Sequence, residues 1–345
     1  KSDFRRQFKG NIESFTQLSA TSFEFKSVLS TSIATTELFN KSAPWIAGNH
    51  TSTKIDRWGS VFGYHAYRIA PSDQFEQNDV TVTFDGYAED ITWIDAPPGT
   101  TNYFYITNYP YDLGVVRFAC PTIRQNIKEL FSAICVSVGQ LFNADNLAAY
   151  PINPNVTFYT RESITFEEYL NVTLETLGAL LWINDEGEIE FYRKEIPTEI
   201  SVNTVNSWIT LNEQPTIKTI TTEDPASVVQ VKNPDYNHNS EDGPSYNEYN
   251  AIDLSYPHRT VATHSYAEDS EAIIEARRLA NLLAVTRRTY SVTINRISPE
   301  LFIGAIVNIY SPKDRWEENG QGLNALVVGF TQSFKSNKSE LIVWR

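Results

Sequence analysis

Between residue 265 and the end of the chain the hydrophobic period changes once, from helix to strand, and that change limits the possible folds more than any other stretch. Ser265 and Glu268 are spaced as a capping box, hydroxyl and carboxylate each satisfying an otherwise unpaired backbone donor. Behind them Ala272, Ile273, Ala276, Leu279, Ala280 and Leu283 recur at helical spacing, with Glu271, Glu275, Arg277 and Arg278 among the polar positions. Tyr290, Val292 and Ile294 then alternate with Ser291, Thr293 and Asn295, the pattern of a strand with one buried face. Further strands are expected at Ile303–Tyr310, near Leu323–Phe334 and at Leu341–Trp344, with a polar loop from Ser311 to Gly322. One helix feeding an antiparallel unit is the simplest structure with this order.

The middle of the chain reads as an imperfect repeat of helix plus strand. In Thr122–Val138 the residues Ile123, Ile127, Leu130, Phe131, Ile134, Cys135 and Val138 form one apolar stripe. Gly139 follows as a left-handed cap, and Gln140-Leu141-Phe142 resumes extended. The second copy opens with Thr165 and Glu168, another capping box. Tyr169, Leu170, Leu174 and Leu177 make its stripe, Gly178 ends it, and Leu180–Asn184 becomes a strand. Asp185-Glu186-Gly187 turns that strand back into Glu188–Arg193 as a hairpin.

Elsewhere strands dominate. Lys1, Arg5, Arg6 and Lys9 make a basic opening. Up to residue 119 the short aromatic or β-branched runs Phe23-Glu24-Phe25, Val61–Ile69, Val80–Phe84, Tyr103–Thr107 and Val115–Ala119 are separated by Pro, Asn, Asp and Gly. Residues 198–232 return to short strands. Asn233–Asn250 is polar and reads as a long loop.

Motifs for chemistry are sparse. There is no G-x-S-x-G elbow, no H-E-x-x-H zinc motif, no phosphate-binding glycine loop and no dinucleotide fingerprint. The histidines (His50, His65, His238, His258, His264) are scattered, and Cys120 and Cys135 lack paired zinc spacing; both read as buried thiols. Asp235-Tyr236-Asn237-His238-Asn239 alternates oxygen ligands like the start of a calcium loop, but Ser240 and Tyr246 occupy the positions that need Gly and Glu. Neither a catalytic residue, a metal nor a cofactor is assigned. Trp182, Trp208 and Trp344 lie in strand-like runs and are expected in the core, while Trp45, Trp58 and Trp316 are expected at the surface. Trp316 stands among charges in Asp314-Arg315-Trp316-Glu317-Glu318. Trp and Arg dominate interface energies, so Asp314, Arg315, Trp316 and Glu317 are the candidate partner-contact residues.

The net charge of −14 disfavours clamping nucleic acid, because affinity for phosphates comes from neutralising them with Lys and Arg. No apolar run approaches the ~20 residues of a bilayer span, so stable membrane insertion is not expected.

The order of elements after residue 265 resembles the C-terminal domain of phage tail-hub proteins, the baseplate hubs of contractile tails and the tail-tip proteins of long non-contractile tails. The resemblance rests on EAIIEARRLANLL before a YSVT strand and on Phe302, Gly304, Ile306, Val307 and Ile309 in the next strand. Leu326, Val328 and Gly329 follow, and Trp344 ends the last strand; Ala305 stands where many relatives carry Asp. It extends to residues 163–193 and is thin before residue 110.

The fold it implies is α+β, mostly β, with two small antiparallel β-barrel, tail-tube-like domains flanking helix-plus-strand domains. The regions would be 1–119 with the first barrel, 120–194 with the two helix-plus-strand units, 195–264 β-rich, and 265–345 with the helix and the second barrel. The implied function is structural and not enzymatic: a virion hub subunit assembled in the host cytoplasm. It would form a homotrimer that closes or extends the tail tube. Its implied partners are the distal tail protein ring, the tape-measure protein and tail fibres or a tip protein, with DNA passing through without specific binding. A carbohydrate- or receptor-binding module and a glycoside hydrolase remain open as alternatives.

Overall fold

The computed structural model describes residues 126–160, 164–197, 208–210, 215–240, 243–252, 258–263, 269–296, 301–333 and 336–345, together with strand segments between residues 11 and 120. The basic opening and the Ser265–Glu268 capping box lie outside the described residues.

In the N-terminal region β1 (Asn11–Ser19) and β2 (Ser22–Val28) form a hairpin. Next come β3 (Trp45–Gly48), β4 (His50–Lys54), β5 (Arg57–Val61), β6 (Tyr64–Ile69), β7 (Thr81–Phe84) and β8 (Tyr87–Glu89). The last strands of the region are β9 (Ile91–Ile94), β10 (Asn102–Ile106) and β11 (Val116–Cys120). They build two antiparallel sheets, β5-β6-β10-β9 and β4-β11-β7-β8. β11 shows why: Val116, Phe118 and Cys120 are buried while Arg117 and Ala119 between them are not, so one face of the pleat is core.

The middle region packs α1 (Ile127–Val138), α2 (Ala144–Ala149), β12 (Thr157–Thr160), α3 (Phe166–Leu177) and the hairpin β13 (Ala179–Ile183)–β14 (Ile189–Arg193) around one apolar cluster. Asn126 caps α1 by accepting from the Glu129 amide, so that helix begins later than the expected Thr122. α3 carries the expected capping box of Thr165 and Glu168, and Gly139 and Gly178 close α1 and α3 in the left-handed conformation. The segment after Gly139 makes only a parallel bridge, Phe142 to Ile189, before the unanticipated α2. α2 is held to the sheet by Asn146, whose amide donates to the Phe191 carbonyl and accepts from the Phe191 N–H, as a neighbouring strand would. β12 pairs with β3, and Tyr159 joins the N-terminal core, so the middle and N-terminal regions interlock.

β15 (Trp208–Thr210), β16 (Thr216–Glu223), β17 (Ala226–Ser240), β18 (Gly243–Ile252) and β19 (His258–Thr263) follow. The expected polar loop at 233–250 is instead the far end of a β17–β18 hairpin, in which Asn233 faces Asn247 and Asp235 faces Ser245 across the ladder. The calcium-like run is therefore extended strand around a bulge. Its residues are polar, yet the ribbon's base sits in a three-stranded sheet, which gives the pairing the third strand that a lone hairpin lacks.

α4 (Asp269–Leu283) packs Ala272 and Ala276 on Val231 of β17 and turns Leu282 with Leu279 and Leu283 to the C-terminal sheet. Two positions differ from the expected stripe: Glu275 is buried, and Ile273 is exposed beside exposed Ile274. The C-terminal sheet contains β20 (Arg287–Ile294), β21 (Ile306–Ile309), β22 (Glu317–Glu318), β23 (Gln321–Ser333) and β24 (Lys338–Trp344). Its order is β15-β21-β23-β24-β20-β16, with β22 folded onto β23. No pairing among the described residues closes this sheet, or either N-terminal one, into a barrel. The runs Ile306-Val307 and Ala325-Leu326-Val327 are apolar without alternation because both faces are covered. Val307, Ala325, Val327, Leu341 and Val343 fill one side, while Ile306, Leu326 and Trp344 meet α4 and Leu180 of β13 on the other. Ala305 is fully buried in the first of these clusters.

Candidate functional site

After β21 the chain makes a 3₁₀ turn at Pro312–Asp314. The Ser311 hydroxyl donates to Asp314 Oδ2 at 2.6 Å, and the Ser311 and Trp316 backbones exchange hydrogen bonds at 3.1 and 2.9 Å. That closure requires Arg315 to adopt a left-handed φ of 62°. It also turns Trp316 inward. Trp316 is only 4% exposed, edge-on to Tyr290 with ring centroids 4.8 Å apart, and belongs to the core of the sheet. The expectation of a surface Trp316 is thus corrected: flanking charges say nothing about an extended segment, in which neighbours point to opposite sides. Arg315, Glu317 and Glu318 are exposed and Asp314 is half-buried. Trp344, expected in the core, is 2% exposed, whereas the side chains of Trp45, Trp58 and Trp208 lie outside the described residues.

Beside this loop lies a groove of about 500 Å³ lined by Arg287, Arg288, Arg315 and Arg345. Trp316 contributes to its apolar lining, and Asp314 is the one acid among the lining residues, already bonded to Ser311. Pairing of β20 with β24 creates the cluster, because Thr289 faces Trp344 and the next rung places Arg288 against Arg345. The backbones of those two arginines exchange hydrogen bonds at 2.8 and 3.0 Å. Arg345 lies 5.9 Å over the Trp316 ring, while Arg287 is spoken for, donating to the Leu282 carbonyl and stacking 5.0 Å from the Trp344 ring. The loop is legible in the sequence, whereas the arginines come together from two distant strands. The Arg287-Arg288 pair opening a strand and Arg345 beside Trp344 were the only signals.

Through Arg287, whose guanidinium lies over the Trp344 ring, the groove adjoins a junction between the hairpin, α4 and the sheet. Arg278 of α4 grips both carboxylate oxygens of Glu275 at 2.7 and 2.5 Å and donates to the Lys194 carbonyl just past β14. It sits at the C-terminal end of α3, where a cation complements the helix dipole. Lys194 lies 4.8 Å from the Trp344 ring, and desolvation holds its ammonium below the ordinary lysine range. Tyr192 stacks on Phe302 at 4.7 Å and Trp182 on Phe330 at 5.5 Å. Gly304, at a φ of 99°, has no room for a side chain against Tyr192.

Other sites with chemical potential are few. A cavity of about 210 Å³ between Pro154 and α4 is lined by Arg193, Glu271 and Glu275, the last held by Arg278. An open groove of about 850 Å³ runs along α1 and α2. Lys128, lowered by desolvation, lines it and donates to the Ala148 and Tyr150 carbonyls. His50 is structural: Nε2 donates to the Phe158 carbonyl at 2.9 Å, leaving Nδ1 to accept from the Thr53 hydroxyl at 2.8 Å. Cys120 and Cys135 are buried, as expected, and form no disulfide, and burial raises the Cys135 thiol well above its usual range. Among the described residues no group of three or more His, Cys, Asp or Glu is placed to hold a metal ion, and no helix is long and apolar enough to cross a membrane.

No protein-family profile matches the sequence, and no curated protein matches it in sequence. Solved structures match in fold. A chain from the virion of a native gene transfer agent (GTA) particle aligns over 90% of this chain and 85% of its own length, with a TM-score of 0.56 at 9% identity. The 43 kDa tail protein of prophage MuSo2 from Shewanella oneidensis covers 85% of this chain and 94% of its own, with a TM-score of 0.38 at 13% identity. A tail protein from Neisseria meningitidis MC58 covers 87% and 97%, with a TM-score of 0.38 at 12% identity. The chain shares its fold, over nearly its whole length, with the component of the GTA virion.

Proposed function

We propose that this chain is a structural subunit of a phage-type tail tip, a hub protomer whose three copies close or extend the tail tube. The observation that carries the reading is the likeness in fold, across 90% of the chain, to a chain from the virion of a native gene transfer agent (GTA) particle. One feature of the molecule supports the hub form of that reading. Mostly antiparallel sheets stand at both ends of the chain with the helical units between them, and counting one lobe at each end gives three copies six sheet-built lobes. A threefold object then mates with a sixfold tube through similar surfaces, each lobe completing a barrel that the described strands leave open.

In this role the distal tail ring lies above, the end of the tape-measure protein inside, and fibres or a tip protein below. The excess of acidic residues, −14 per chain, lets DNA pass a wall that does not hold it. Assembly in the host cytoplasm and residence in the virion follow from the same reading. The loop carrying Asp314, Arg315, Trp316 and Glu317 is the proposed contact element. Arg315 and Glu317 would reach the partner, and Trp316 would hold the loop's shape from below.

Obligate assemblies of this kind bury above ~2,000 Å² at their interfaces and persist at low concentration. Light scattering of the purified chain tests the proposal: three times the 39.2 kDa chain mass is expected. A stable monomer at high micromolar concentration rejects the trimeric hub.

A further inference from the structure

We infer that the arginine groove beside the 311–320 loop is a binding site for a small compound carrying a multiply charged phosphoryl group. Its lining sets the guanidiniums of Arg287, Arg288, Arg315 and Arg345 against one carboxylate, Asp314, which already accepts from the Ser311 hydroxyl. Arg287 is engaged with the Leu282 carbonyl and the Trp344 ring. Among the described residues the other three guanidiniums form no ion pair. Arg288 and Arg345 face each other on one rung of the β20–β24 ladder, so their side chains leave the same face of the sheet, and like charges so placed are destabilising. A guanidinium stays charged throughout the physiological pH range, so deprotonation offers no relief. A bound anion does.

Three properties of the groove select that anion. The first is direction. The three guanidiniums come from separate segments: β20, the loop, and the residue after β24. A planar carboxylate offers two oxygens and matches one guanidinium fork, whereas a phosphoryl group presents three strong acceptor oxygens on a tetrahedron. The second is charge. One carboxylate among four arginines leaves an excess that a singly charged ion does not offset, while a phosphate monoester brings about −1.5 to −2. The third is size. A volume of about 500 Å³ lies within the ~300–1,000 Å³ of small-molecule sites. Nucleic acid fits less well, since its phosphodiesters carry one charge each and repulsion from a chain of net charge −14 grows with the charge of the approaching ligand. Part of the site is fixed in advance. Buried Trp316 stands edge-on to Tyr290, and Arg345 lies 5.9 Å over the Trp316 ring, within cation–π range.

Isothermal titration calorimetry of the full chain with sodium pyrophosphate, in magnesium-free buffer at about 0.15 M salt, tests the site. Wild type is expected to bind with a Kd at or below about 1 mM. Arg288→Gln/Arg315→Gln should bind at least tenfold more weakly, and its melting temperature without the probe should match wild type because both positions are exposed. If that variant misfolds, Arg288→Gln alone is read the same way. Sodium acetate at matched ionic strength should give no binding. Failure of wild type to bind pyrophosphate, or equal binding by the variant, overturns the site. Citrate binding more tightly than pyrophosphate overturns the phosphoryl assignment in favour of carboxylates. A short DNA duplex that binds more tightly than pyrophosphate, and loses binding in the same variant, overturns the small ligand in favour of nucleic acid.

Discussion

Two glycines end helices α1 and α3 in the same backbone conformation, yet their surroundings differ, and the difference isolates one junction contact. Gly139 has a φ of 73° and Gly178 a φ of 60°, so an alanine at either pays the left-handed cost of roughly 1–2 kcal/mol. Nothing lies near a side chain at Gly139, whereas one at Gly178 would meet the guanidinium of Arg278. Displacing Arg278 strips a buried carboxylate, Glu275 at 3% exposure, of its partner, and breaking such a pair costs about 3–5 kcal/mol. In urea denaturation Gly139→Ala should therefore lower stability by about 1 kcal/mol, and Gly178→Ala by about 4 kcal/mol. Equal shifts would mean that Arg278 relocates without penalty and is not a tie between α3 and α4. Trp316 carries a second lesson at this scale. Its burial depends on a backbone bridge to Ser311, which no residue-type pattern in Asp314–Glu318 reveals.

At the scale of elements, α4 joins two sheets with different faces, and each face has its own test. Leu279 reaches both the Ala272–Ala276 cluster on β17 and the cluster around Leu282 and Trp344. Leu279→Asp places a carboxylate in that apolar contact, and melting temperature should fall by several degrees because an unpaired buried charge is costly. Ile274→Asp, at a position 65% exposed, should change stability by no more than about 0.5 kcal/mol. An unchanged melting temperature for Leu279→Asp would show that the helix face is misassigned. Much at this scale was legible beforehand. The α3 capping box, both glycine caps, the β13–β14 hairpin and the period-two strands at 290–294 follow from local rules that the final structure obeys. The failures share one cause, that long-range partners decided the outcome. Residues 233–250 look like a loop because they are polar, yet β17 and β18 pair through backbone groups that polarity does not forbid. α2 forms where Asn143 caps it and Asn146 docks on Phe191, a partner that lies far along the chain. The arginine groove was hidden for the same reason, since a strand register, not a motif, brings Arg288 beside Arg345.

At the scale of the whole molecule, the junction between hairpin and C-terminal sheet determines whether the middle region and the C-terminal sheet behave as one cooperative unit. Tyr192 on Phe302 and Trp182 on Phe330 cross it as aromatic pairs, and such pairs contribute about 0.5–1.5 kcal/mol each beyond the area they bury. Trp344 seals it from the sheet side, between Lys194 and Arg287. Coupling on this order should make the middle region and the C-terminal sheet melt together in scanning calorimetry. In Tyr192→Ala/Trp182→Ala the two aromatic contacts vanish while the strands of the C-terminal sheet keep their own core of Val307, Val327, Leu341 and Val343. The endotherm should then split, with the C-terminal sheet melting apart from the middle region. A single endotherm at lower temperature would show that the coupling runs through α4 and its Arg278–Glu275 pair instead. In the tail-tip reading the distinction has a mechanical meaning. A movement of fibres below could reach the tube above only through contacts that stay closed under load, and the aromatic pairs are candidates at that crossing.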